Sequence, residues 1–140
     1  MLVNTLNAAL ARCRSGAGDI VYVLPGHTEN IATADAMSNL VAGTQIIGTG
    51  RPGASNNATL TWSNTAGTFL LDVADVSIQG MNLVMGGADN VTAPITVTGA
   101  GCSMIGNWIN LGTSSVLECA IGITVHTGAH DFVLSANKIH

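Results

Sequence analysis

The chain has 140 residues, enough for one domain with its own core, and is 47% hydrophobic but only 9% charged, with a formal net charge of −4. No apolar run approaches the ~18 to 20 residues of a membrane span, and beyond Gly16 the only fixed positive charges are Arg51 and Lys138, too few to neutralise a phosphate backbone. Membrane and nucleic-acid partners are therefore set aside, and the abundance of Gly, Ala, Thr, Ser, Asn, Val and Ile suits stacked strands and tight turns better than helix bundles.

In chain order, residues 1–16 read as a cap. Asn4 is a candidate N-cap, and Leu6, Ala9, Leu10 and Cys13 fall at i, i+3, i+4 and i+7, with Arg12 and Arg14 toward water. The same stretch has no continuous apolar secretory core, so no signal peptide is expected. Residues 17–140 read as stacked coils of the same single domain. The first strand is Ile20 to Leu24, with either Val21 and Val23 or their neighbours inward. Pro25 and Gly26 end it, and "HTEN" (27–30) follows in what reads as the corner. A His27/Glu29 pair suits an acid/base couple or half a metal site, but no third ligand stands at a matching spacing, and a polar solvated turn is preferred.

From residue 41 the chain repeats itself. "VAGTQIIG" (41–48), "VADVSIQG" (73–80), "GAGCSMIG" (99–106) and "AHDFVLSA" (129–136) superpose without gaps. One apolar column holds Thr44, Val76, Cys102 and Phe132; a second holds Ile46, Ile78, Met104 and Leu134; a small-residue column holds Gly48, Gly80, Gly106 and Ala136. Residues two apart on a strand share a face, so the first two columns point inward together. A second set, "FLLDVADV" (69–76), "ITVTGAGC" (95–102) and "ITVHTGAHDF" (123–132), adds inward pairs Phe69/Leu71, Ile95/Val97 and Ile123/Val125, and a third column holds Leu83, Ile109 and Ile139. Short strands at a drifting period with Gly/Asn/Asp corners predict an all-β, right-handed parallel β-helix solenoid of about four to five coils behind the short N-terminal helix. The chain stops at "SANKIH", inside a strand column, so the last coil is expected to be covered by a further segment or another subunit, or the chain is a fragment.

Candidate chemistry is sparse. The residue before the first apolar column is Gly43, Asp75, Gly101 and Asp131 in successive coils, which places two carboxylates two coils apart, about 9 to 10 Å by the stacking distance and near the separation of an inverting glycosidase pair. With His130 these form the catalytic set an enzyme would use. A Gly/Asp column is also what a turn demanding positive φ selects, and that reading is preferred. Asp72 and Asp75 are a thin ligand set for Ca²⁺, and His126 and His130 fall in a corner rather than on a helix face. Trp62, Trp108 and Tyr22 would stack on sugar rings if exposed, but core or edge packing is preferred. "GTGRPG" (48–53) lacks the Lys-Ser/Thr of a P-loop and reads as loop. Cys13, Cys102 and Cys119 form no CxxC pair and read as free thiols. No cofactor and no metal are expected.

"GDIVYVLPGHTENI" (18–31), "VAGTQIIGTGRP" (41–52) and "GGADNVTAPITVTGAGC" (86–102) resemble recurring blocks of a group of bacteriophage-encoded parallel β-helix proteins, pectate-lyase-like in fold and found among virion structural genes. The resemblance covers most of the chain from Gly18 to about Cys102 and brings no catalytic signature. It implies a virion component made in the bacterial cytoplasm, a capsid decoration or tail-associated protein that partners phage capsid or tail proteins and assembles as a homo-oligomer, often a trimer. The preferred expectation is thus a non-enzymatic structural protein. The alternative is a polysaccharide-active lyase or hydrolase, or a glycan-binding module of a tail spike, directed at a cell-surface glycan.

Overall fold

A computed structural model describes residues 2–88, 90–114 and 117–140, with the side chains of 113–118 left aside. One short helix, α1 (Leu6–Leu10), precedes the strands β1 (Ile20–Val23), β2 (Thr28–Ile31), β3 (Gln45–Gly48), β4 (Thr59–Trp62), β5 (Phe69–Leu71), β6 (Ser77–Gln79), β7 (Asn82–Val84) and β8 (Ile95–Val97). There follow β9 (Ser103–Ile105), β10 (Trp108–Asn110), β11 (Gly112–Ser114), β12 (Leu117–Glu118), β13 (Ile123–Val125), β14 (Val133–Ser135) and β15 (Lys138–Ile139). Among the described residues, apart from the antiparallel pair β11/β12, every strand pairing is parallel, in three sheets: β1-β3-β6-β9-β14, β2-β4-β7-β10-β15 and β5-β8-β13. The chain is a parallel β-solenoid of about four turns, as the repeats predict.

The predicted columns coincide with the strand register. Ile46 pairs with Ile78, Ile78 with Met104 and Met104 with Leu134. Phe69 pairs with Ile95 and Ile95 with Ile123 in the third sheet, while Leu83, Ile109 and Ile139 run down the second. As far as Met104, Ile109 and Ile123 these side chains form one hydrophobic cluster along the axis, joined by Trp62, Met81 and Met85. Each coil thereby buries an apolar face that it cannot bury alone, while the ladder satisfies its backbone. In the first strand Val21 and Val23 face inward, in register with Ile46 and Gly48. The small-residue column marks a close approach, since a Cβ on Gly80 would stand 2.7 Å from the Gly48 carbonyl.

Two details differ from the sequence reading. The helix is capped by Thr5, not Asn4: Thr5 has extended φ/ψ and its hydroxyl accepts from the Ala8 amide at 3.2 Å. Residues 28–31 are not a solvated turn but β2, paired in parallel with β4. Five residues are too few for a helix to persist alone, and α1 is held by Leu6 and Leu10, both buried in the core cluster.

Candidate functional site

Glu29 answers for the first of the candidate pairs. It stands in register with Leu60 at the head of the column that continues through Leu83, Ile109 and Ile139, yet it is a carboxylate with its side chain only 17% exposed. Its neighbour toward the N-terminus is α1 rather than another coil. Glu29 Oε2 accepts from the Leu6 amide at 2.7 Å, one of the helix-end donors that no intrahelical carbonyl can reach, and also lies 3.1 Å from His27 Nε2. The pair is a polar clasp that fastens the cap to the first coil. Among the described residues no third His, Cys, Asp or Glu completes a metal-binding group here or elsewhere.

The Gly/Asp column lies at one exposed corner. Gly43, Asp75, Gly101 and Asp131 all have positive φ, at 80°, 59°, 69° and 59°. Backbone bonds run through it from coil to coil: Gly43 N–H to Ala74 O, Asp75 N–H to Ala100 O and Gly101 N–H to His130 O. A Cβ on Gly101 would fall on Asp75 Oδ1, so the left-handed backbone and the side chain stacked above it account for the alternation of Gly with Asp. Asp75, Asp131 and His130 are thereby brought to one corner, two coils apart for the carboxylates, and all three are exposed. Asp72 is exposed as well, and His126 opens the turn that Ala129 closes by donating to its carbonyl.

The aromatic candidates separate. Trp62 is fully buried and donates its indole N–H to Pro94 O at 2.8 Å; Tyr22 is exposed on β1 beside a groove below α1; Trp108 is half-buried on β10, against His140. Cys13, Cys102 and Cys119 are not joined in disulfides. Burial pushes the Cys102 thiol up, with Asp75 and Asp72 adding to it, and its Sγ donates to Val73 O; burial likewise raises Cys13, with Asp19 adding to it. Both are held as thiols and are weak nucleophiles.

An asparagine ladder escaped the sequence reading. Asn107 Oδ1 accepts from Met81 N–H at 3.0 Å while its Nδ2 donates to Ile78 O at 3.0 Å, clasping the bend at Gly80. Asn137 repeats this one coil on, accepting from Asn107 N–H at 2.9 Å and donating to Met104 O at 2.8 Å. Asn107 Nδ2 also reaches Asn137 Oδ1 at 3.0 Å. The signal was available, because Asn107 and Asn137 each directly follow the small-residue column.

At the opposite end from α1 the core columns run out to the surface. Val97, Met104 and Ile109 are fully buried, whereas their partners in the next coil, Val125, Leu134 and Ile139, are 49%, 46% and 50% exposed. Phe132 and Ile123 beside them are half-buried. The result is an apolar end face bordered by the free edges of β13, β14 and β15. Comparison with protein-family models, curated proteins and solved structures gives no match.

Proposed function

We propose that the protein is a non-catalytic assembly module, a rigid coil stack that joins a second copy of itself through the end face of its last coil. The observation that carries this reading is the abrupt exposure of Val125, Leu134 and Ile139 at the end of columns that are otherwise dry. Contiguous exposed apolar surface together with free strand edges is a template for association. A second copy suits it on charge: the chain is formally −4, but residues 123–140 carry one Asp, one Lys and three His, so two such faces meet without like-charge repulsion. A two-fold arrangement sets the same end face of both copies against each other and closes, as most homo-oligomers do.

The finer reading, a bacteriophage virion component such as a capsid decoration or tail-associated protein, is supported by the blocks at 18–31, 41–52 and 86–102, which correspond to β1–β2, β3 with its following loop, and β8 with its flanking turns. The test is absolute mass by light scattering on a sizing column across a wide concentration range, for the parent and for Leu134→Glu. An oligomeric parent and a monomeric Leu134→Glu are expected. A monomeric parent overturns the proposal. So does an oligomer, including the trimer that the phage resemblance implies, whose mass Leu134→Glu leaves unchanged.

A further inference from the structure

The only two fixed cations beyond Gly16 lie together. Residues 49–58 form a long loop between β3 and β4, where the later coils have only two residues between the corresponding strands. This loop leans along the outside of the second sheet toward later coils. Asn82 clasps it on both sides, accepting from Gly53 N–H at 2.7 Å and donating to Ala54 O at 2.9 Å, and Asn57 N–H closes its turn onto Ala54 O at 3.1 Å. Gly53 is thereby pressed against the Trp108 indole, where an added Cβ would come within 3.2 Å of Cδ1. Trp108 pairs in register with Lys138 on the next coil. A notch of about 300 Å³ results, lined by Arg51, Pro52, Gly53, Ala54, Trp108 and Lys138.

Three properties of the notch point to one ligand chemistry. Arg51 and Lys138 are exposed, and among the described residues neither takes part in a salt bridge, so two like charges converge on a protein that is otherwise acidic. Trp108 is half-buried and His140 stands against it with ring centroids 5.4 Å apart at 44°, giving a tilted aromatic wall. The volume lies at the lower end of the range for small-molecule sites, sized for a single ring. We infer that this notch binds a carboxylate-bearing sugar ring, a hexuronate, with its carboxylate between Arg51 and Lys138 and its apolar face on Trp108. Arg supplies a planar fork for the carboxylate, Lys a point charge, and the indole a flat surface that needs no hydrogen bond. Because Asn82 fixes the loop, little ordering is lost on binding.

The probe is the indole N–H signal of Trp108 in ¹⁵N-labelled protein, titrated with glucuronate, glucose, inorganic phosphate and an oligogalacturonate. Trp62, buried and bonded to Pro94 O, is the internal control. Glucuronate is expected to move Trp108 and not Trp62, saturating at about 1–10 mM, as befits a shallow single-ring site. Glucose and phosphate should bind at least tenfold more weakly, and Arg51→Ala/Lys138→Ala should weaken glucuronate at least tenfold with an unchanged melting temperature. A tighter oligogalacturonate identifies the source as an acidic polysaccharide, and equal affinity a free sugar acid; both support the site. A Trp108 signal that glucuronate leaves still, that glucose or phosphate moves equally well, or that ignores loss of both cations overturns it.

Discussion

Replacing Asn107 with Ala removes a side chain that satisfies two backbone groups of the preceding coil. The Met81 N–H loses its partner, and the Ile78 carbonyl, which the parallel register also sets against the Ile105 N–H, loses one of its two donors, in a place where Asn107 itself is only 1% exposed. An orphaned buried donor costs about 1–3 kcal/mol and a lost second bond to a carbonyl about 0.5–1.5 kcal/mol, so the loss is expected to be about 2–4 kcal/mol. For a chain of this size that corresponds to a melting temperature lower by about 10 °C. Asn107→Asp should be worse at neutral pH, because the new oxygen faces two acceptors, Ile78 O and Asn137 Oδ1. Its carboxyl pKa is raised by that repulsion and by burial, so the folded state gains on the unfolded one as pH falls and the acid becomes a donor to Ile78 O. Urea denaturation followed by far-UV circular dichroism reads both, with Asn30→Ala, exposed on β2, as a control expected within ~0.5 kcal/mol of the parent. A loss below about 1 kcal/mol for Asn107→Ala, or an Asn107→Asp variant that does not recover on acidification, would refute the ladder as a structural clasp.

Glu29→Ala should free the cap rather than unfold the stack: amide exchange across Leu6–Leu10 is expected to rise about tenfold while Ile78 and Met104 stay protected, matching ~1–2 kcal/mol for a charge-assisted helix-end bond. At the exposed corner, Asp75→Gly is expected to be tolerated within ~1 kcal/mol because Gly43 and Gly101 hold the same conformation, whereas Gly101→Ala should cost more through its positive φ and its contact with Asp75; melting temperatures distinguish the two. Cys102, with its thiol pKa raised by burial, contributes stability that is complete below the ordinary thiol range and lost as pH rises through its folded value, since the unfolded chain deprotonates first. Denaturation midpoints should therefore fall in alkali, less so for Cys102→Ala, and a thiol reagent at neutral pH should modify Cys102 only on unfolding.

The first and third sheets were legible because their strands alternate cleanly and their repeats superpose, without gaps in the first and with two extra residues in the last turn of the third; Ile46, Ile78, Met104 and Leu134 can be aligned by eye. The second sheet was legible only in its later coils. Its early strands β2 and β4 were hidden by a Glu in the apolar column and by the long loop 49–58, which breaks the spacing between Gly48 and Leu60. Glu29 read as part of a solvated corner because a carboxylate at a core position makes sense only once the neighbour is known to be a helix end. Asn107 and Asn137 are corner residues whose side-chain bonds reach a preceding coil that is distant in sequence. The cluster of Arg51, Trp108 and Lys138 depends wholly on register, since its members are brought together by coil stacking and by a loop leaning across coils.

Small-angle scattering tests the end-on assembly most directly, because it reports direction as well as mass. Stacked at ~4.8 Å per coil, the solenoid is short, and joining two copies at their last coils roughly doubles its length along the stacking axis while leaving its cross-section unchanged. The expected result is that doubled length at constant cross-sectional radius, reverting to the single stack in Leu134→Glu. A thickened cross-section, or a single stack at every concentration, would contradict it.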